Sequence, residues 1–187
     1  DHIIAVGGYA GLNDRWEAYK EAVGHDKPLR YQIATHHHTD HLGGMGDAEA
    51  LGVIFVTPSN AVANINTAAG TKISEDRLVL LDEKMTLGPV EIYDIATNHQ
   101  ESYALVYIPS VKAVFQADHY TGLYEDAIAP AALGSVKLKE AIDGLGFDVE
   151  MVLSAHGRKP VSWGDFSAAV AAYVPNPCPN NRPICRG

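Results

Sequence analysis

The stretch THHHTDH, residues 35–41, places His36, His38, Asp40 and His41 within six residues of one another. Imidazole and carboxylate side chains at this density are donors for a transition metal. They suit zinc, and iron or manganese accepts the same donors. In an extended or turning backbone, residues two apart project the same way. His36 and His38 can therefore reach one ion while Asp40 and His41, past the turn, reach another. A run of three histidines also occurs in solvated segments and tag remnants. Its interruption by Asp40 and its position between apolar segments argue against that reading.

Three further donors stand far along the chain, His99, Asp118 and His156. Each follows a short apolar segment of strand character: 91–97, 112–117 and 150–154 respectively. Alone, His99 or His156 reads as a satisfied polar residue. Residues just past successive strand ends converge on one edge of a sheet, however, which is where open α/β architectures build their sites.

The remaining pattern supplies the elements that position these donors. Residues 3–6 read as a strand running into Gly7-Gly8. A helix then opens with Asp14 as its cap and Glu17 three residues on, and Trp16, Tyr19 and Val23 form its buried stripe. Residues 29–35 return as a strand that delivers THHHTDH, and Gly43-Gly44 lets the chain turn closely into a helix. GVIFVTP from Gly52 is a buried strand closed by Pro58, and 61–69 is a short helix. Gly88-Pro89 separates two strands, and Pro109-Ser110 turns between strands 103–108 and 112–117. Ser135 opens a helix with Leu138, Ala141, Ile142 and Leu145 at i, i+3, i+4 and i+7. Ser162 and Asp165 form a capping box before a helix that buries Phe166, Ala169, Val170 and Tyr173. Strands alternating with helices predict a layered α/β domain over 1–174, followed by a Pro/Asn-rich tail, 175–187.

Composition bounds the function. With 187 residues, 47% hydrophobic and 20% charged, the chain suits one globular domain and excludes disorder. No apolar run approaches the ~20 residues of a membrane span. A net charge of −9 repels phosphate backbones, which disfavours nucleic acid and points to a small-molecule partner. Cys178 and Cys185 both lie in the tail. They fit a small disulfide, which would suggest an oxidising compartment (periplasmic or extracellular), and they also fit two free thiols. The first residues show no signal-peptide pattern.

HHHTDH resembles the HxHxDH motif of the metallo-β-lactamase superfamily, and His99, Asp118 and His156 match its later ligands in order. The resemblance covers nearly the whole chain. It implies an αββα four-layer sandwich, one ion held by His36, His38 and His99, a second held by Asp40, His41 and His156, and Asp118 bridging the two. It further implies two zinc ions whose bound water ionises near neutral pH, with Asp40 as a catalytic proton acceptor. His2, His25, His37 and His119 match no ligand position and read as surface residues or supports behind the ligands. Arg158, in the Gly-Arg-Lys turn after His156, is a candidate contact for a substrate carboxylate and also an ordinary solvated residue.

Family members carry several strands before the motif and an Asp near a Gly, whereas 35 residues precede His36 and Ala5-Val6-Gly7-Gly8 holds no Asp. The expectation is a fold lacking amino-terminal strands that associates, as a homo-oligomer or with a separate segment, through the sheet side near Ile3 to Val6. Among subfamilies, lactamases of this motif carry Cys or Ser at the position of Asp118, which disfavours β-lactams. Glyoxalase II shares THHHxDHxGG but needs a longer helical domain after the last ligand. Flavodiiron proteins carry Glu where His38 stands, and the nuclease branch inserts a domain before the last histidine. YALVYIPSVKAVFQADHYTG and SAHGRKPVS are most similar to a group of bacterial metallo-hydrolases. The expected function is hydrolysis of an ester, lactone, amide or phosphoester by a dinuclear centre. A mononuclear iron dioxygenase and a non-catalytic metal-binding domain are the alternatives.

Overall fold

The computed structural model describes residues 1–124 and 127–175. Its first half is a parallel sheet of β1 (Ile3–Val6), β2 (Leu29–Ile33), β3 (Ile54–Pro58) and β4 (Leu78–Leu81), paired in that order. Parallel neighbours require crossover connections of a dozen residues or more. Here α1 (Leu12–Val23) follows β1, α2 (Met45–Ala50) follows β2, and α3 (Val62–Ala69) follows β3.

The second half begins with an antiparallel meander. β5 (Lys84–Leu87) pairs with β6 (Val90–Ile95), β6 with β7 (Tyr103–Ile108), and β7 with β8 (Ala113–Gln116). Lys112, at φ 48°, closes the turn before β8. A two-stranded ribbon, β9 (Leu123–Tyr124) and β10 (Ala127–Ile128), precedes α4 (Leu133–Leu145). The chain then returns as β11 (Met151–Ser154), parallel to β8, and ends in β12 (Val161–Ser162) and α5 (Trp163–Ala171). The order of this sheet is β12-β11-β8-β7-β6-β5.

Three buried clusters define the layers. Trp16, Met45, Ala48 and Ile65 join Leu29, Ala34 and Phe55, which places α1 to α3 on one face of the parallel sheet. Leu138, Ile142 and Phe166 join Tyr103, Leu105, Val114 and Val152, which places α4 and α5 on the far face of the second sheet. Ile33, Val56, Leu81, Val90, Ile92, Ala104 and Val106 lie between the sheets. At about 1.5–3 kcal/mol per buried branched side chain, that middle layer contributes on the order of 10 kcal/mol to holding the sheets face to face. Helix, sheet, sheet, helix is the four-layer αββα sandwich expected from the sequence.

Local expectations on α1 and α4 differ. The cap of α1 is Gly11 in the left-handed region (φ 76°), with no side-chain cap, and Asp14 lies inside the first turn. Of the predicted stripe, Trp16 is buried while Tyr19 and Val23 are exposed, because α1 lies along the edge of the parallel sheet and Trp16 with Leu12 makes its contact. On α4, Leu138 and Ile142 are buried but Leu145 is exposed. Ser135 stands one turn inside that helix and accepts from the Ala132 N–H at 3.1 Å. The Ser162 cap is present: its hydroxyl accepts from the Asp165 N–H at 3.0 Å. The outer edge of β1 pairs with no strand among the described residues, and Ile3, Ile4 and Val6 are partly covered by this chain. Cys178, Cys185 and most of the tail lie outside the described residues.

Candidate metal centre

The donors come from strand ends, as the spacing predicts. After β2 the backbone is tied down on both sides: Ala34 N–H donates to Val56 O at 2.9 Å and Ala104 N–H to Thr35 O at 2.8 Å. His36 therefore points into the protein and is fully buried, with its Nδ1 3.1 Å from Thr35 Oγ1. His38 precedes a single 3-10 turn, Thr39–His41, which carries Asp40 and His41. Beyond β8, the Gln116 amide organises the next turn. Its oxygen accepts from the backbone N–H of His119 (2.8 Å) and Tyr120 (3.2 Å), and its nitrogen donates to Tyr120 O. The buried Tyr103 hydroxyl accepts from Ala117 N–H, so Asp118 leaves a fully anchored turn.

Asp118 is the centre of the arrangement, with 11% of its side chain exposed. Its Oδ1 lies 2.7 Å from His41 Nε2 and 2.7 Å from His156 Nε2. Its Oδ2 lies 2.9 Å from His36 Nε2, 3.0 Å from His99 Nε2 and 3.8 Å from His38 Nδ1. Asp40 Oδ2 adds contacts of 3.3 Å to His41 Nε2 and 3.7 Å to His156 Nε2. All seven predicted residues meet here. They divide into His36, His38, His99 and Asp118 on one side and Asp40, His41, Asp118 and His156 on the other, each set with one donor atom per residue within 4.8 Å of the rest.

The donor set fits metal ions better than it fits itself. Five imidazole nitrogens crowd one carboxylate, and His36 Nε2, although 2.9 Å from Asp118 Oδ2, is not aligned for a hydrogen bond and remains a buried nitrogen without one. Burial raises the Asp118 carboxyl, but the close approach of the His36 and His41 rings outweighs it and holds it well below the carboxylate range. Burial likewise pushes His36 down, against the pull of Asp118. An ionised carboxylate is the form in which Asp118 can ligate a metal ion.

Supports behind the donors were not visible as motifs. The Gln100 amide contacts His38 Nε2 at 2.7 Å on the side away from Asp118. Thr97 Oγ1 accepts from His99 N–H at 3.2 Å and lies 2.7 Å from His119 Nε2. His119 is buried, and burial followed by the nearby His99 lowers its pKa to about 4. It is a neutral prop packed on Tyr103, one of the two roles open to it from the sequence. Tyr9 Oη reaches His156, 2.9 Å from Nδ1 and 3.4 Å from Nε2. Arg158 is exposed and lines a small depression of about 160 Å³ with Ser154, Gly157 and Lys159, beside the donors and not among them.

No protein-family model matches the sequence. Solved structures superpose on nearly all of it. The FIM-1 metallo-β-lactamase of Pseudomonas aeruginosa, determined in a mono-zinc form, matches with a TM-score of 0.65 at 18% identity, over 91% of this chain and 78% of that one. A metallo-β-lactamase of Hirschia baltica matches with a TM-score of 0.60 at 21% identity, over 91% and 79%. This chain has the metallo-β-lactamase fold. The same fold is met in a flavodiiron protein of Giardia intestinalis, at a TM-score of 0.64 and 15% identity, over 90% of this chain and 47% of that protein. Within the metallo-β-lactamase fold, the two donor groups stand at the carboxyl ends of β2, β6, β8 and β11, where both sheets open to the same edge.

Proposed function

We propose that this chain is a metal-dependent hydrolase holding two transition-metal ions, zinc by preference, one on each donor group with Asp118 shared. The observation that carries the reading is Asp118, whose two oxygens each face a separate set of imidazoles. Bound metal supplies Lewis acidity, polarising a substrate oxygen and lowering the pKa of a ligated water toward about 7.

The chain's own residues do the rest. Asp118 stays ionised and fixes the two groups relative to one another. His36 and His41, fully buried, hold their ring positions through packing. Asp40, with 55% of its side chain exposed, is the carboxylate that meets solvent and substrate, and it is the residue placed to accept or relay a proton. A cavity of about 330 Å³ lined by Thr39, Leu42, Gly43, Asn64 and Thr67 opens on the turn that carries Asp40. Asp118 stands where lactamases of this motif carry Cys or Ser, so β-lactams are not the proposed substrate. The net charge of −9 argues against nucleic acid.

Metal analysis of the purified protein tests the reading, followed by a screen of ester, lactone, amide, phosphodiester and sulfate substrates. Two zinc ions per chain and activity abolished by Asp118→Ala are expected. A folded protein that takes up no transition metal overturns it. The mononuclear iron dioxygenase has one observation in its favour, since the His36, His38, His99 and Asp118 group is the less exposed of the two. Iron at one ion per chain with oxygen consumption would select it. Association through the half-covered edge of β1 belongs to the same proposal, and sedimentation at low concentration reads it: a monomer removes it.

A further inference from the structure

Tyr9 lies in the loop between β1 and α1, directly after Gly7-Gly8, and close backbone packing fixes that loop. Gly7 N–H donates to Ile33 O at 3.0 Å and Gly44 N–H to Gly8 O at 2.8 Å. A Cβ on Gly8 would collide with His41 O, and one on Gly44 would lie 2.5 Å from Tyr9 O. Only glycine allows backbone to approach backbone in this way. The loop is thereby joined to the turn that carries Asp40 and His41, and the Tyr9 ring sits 5.3 Å from the His41 ring and 5.8 Å from that of His156.

Tyr9 Oη lies 2.9 Å from Nδ1 and 3.4 Å from Nε2 of His156. An oxygen so near both nitrogens of one ring stands over the ring face, off the in-plane direction of either lone pair, so neither nitrogen serves as its acceptor. The same Nε2 is 2.7 Å from Asp118 Oδ1 and 3.7 Å from Asp40 Oδ2, which puts the hydroxyl beside the exposed members of the second donor group. A phenol ordinarily ionises only near pH 10, so Tyr9 holds a proton to donate at neutral pH. Among the described residues no carboxylate or carbonyl accepts it.

We propose that Tyr9 is a substrate-contacting residue whose hydroxyl donates to an oxygen of an acyl or phosphoryl group held at Asp40, His41, Asp118 and His156. Negative charge that develops on such an oxygen is stabilised most by a donor already in place, and the packed glycines hold this one in place. The Arg15 guanidinium stands 5.7 Å from the centroid of the Tyr9 ring, without an ion pair among the described residues, and its positive charge favours an anionic ligand there. The inference rests on the two-metal reading above and names the kind of group bound on its second side.

Titration of the zinc-loaded protein with inorganic phosphate, a tetrahedral oxyanion, tests this by calorimetry without any turnover. Tyr9→Phe keeps the ring and removes only the hydroxyl. Phosphate affinity should fall about 10- to 100-fold in the variant, the range for a hydrogen bond to an ionised group. Chelator competition should show both zinc affinities unchanged. An equal phosphate affinity in the two proteins, or a wild type with two zinc ions that binds no phosphate, overturns the role of Tyr9 alone. A fall in zinc affinity also overturns it, because Tyr9 would then act on the metal site and not on the ligand. A wild type that takes up fewer than two zinc ions overturns the two-metal reading and this inference with it. The Tyr9 Cζ chemical shift in the zinc-loaded wild type gives a readout that needs no variant: it should move when phosphate binds, and a shift that stays fixed overturns the proposal.

Discussion

On one side of Asp118 stand the enclosed His36, His99 at 28% exposure and His38 at 39%, whereas on the other stand the enclosed His41, His156 at 39% and Asp40 at 55%. The first group is assembled before any ion arrives, since its rings are held by strand ends, by Thr35 and by Gln100. The second group must in addition restrain Asp40, the most exposed of the seven side chains, when it binds, and ordering a side chain costs up to about 2 kcal/mol for the most flexible types. Preorganisation rather than ligand identity thus separates two groups that share a carboxylate and have similar donor types. The expected consequence is stepwise loading, with the first ion on the His36 side.

The largest effect expected belongs to the shared residue. Asp118→Ala should weaken zinc at both positions by more than the 10- to 100-fold typical of outer partners, and should abolish turnover while the fold persists. Retention of one ion at full affinity would break the symmetry assumed for Asp118. Next come the ligands that separate the groups. His36→Ala should remove the first ion and also destabilise the protein, because it empties a fully buried position, whereas His156→Ala should remove only the second ion and leave stability unchanged. Metal counting together with thermal melting distinguishes the two outcomes.

A smaller difference should appear in linkage. The first equivalent of zinc should raise the melting midpoint more than the second, since an ion at 100 times its dissociation constant adds about 2.7 kcal/mol. Equal increments would mean that exposure does not control affinity here. The smallest effect concerns Gln100→Ala, which should weaken the first ion about tenfold through His38 and leave the second untouched. Chelator competition reads this, and a shift confined to the second ion would show the two groups to be mechanically coupled.

The legible part of the site was its donors. His36 to His41 carry their meaning in local spacing, and His99, Asp118 and His156 follow apolar runs that could only be strands, so their convergence followed from topology. The surrounding residues could not be read in this way. Tyr9 meets His156 across 147 positions, and nothing local marks a tyrosine after two glycines as a neighbour of a distant ring. Gln100 likewise contacts His38 only once β6 and β7 are paired. The layered fold was legible because each crossover left an apolar strand and an amphipathic helix in alternation. The start of α1 was misread because Asp14 and Glu17 imitate a capping box where a left-handed Gly11 begins the helix. Its stripe was overextended because helical spacing marks a face without saying how far the neighbouring sheet reaches.

The order of the donors along the chain also sets a schedule for biosynthesis. His36, His38, Asp40 and His41 leave the ribosome together, while the histidine that completes the second group lies beyond β11. At 5–20 residues per second that interval is on the order of ten seconds. For most of that time the nascent chain displays an imidazole-rich segment with neither Asp118 nor His156 to close it. Any ion captured then would be held by flexible ligands and exchanged easily. Stable loading of the second group must wait until β11 has paired with β8, which would make retention of the second ion a reporter of completed folding.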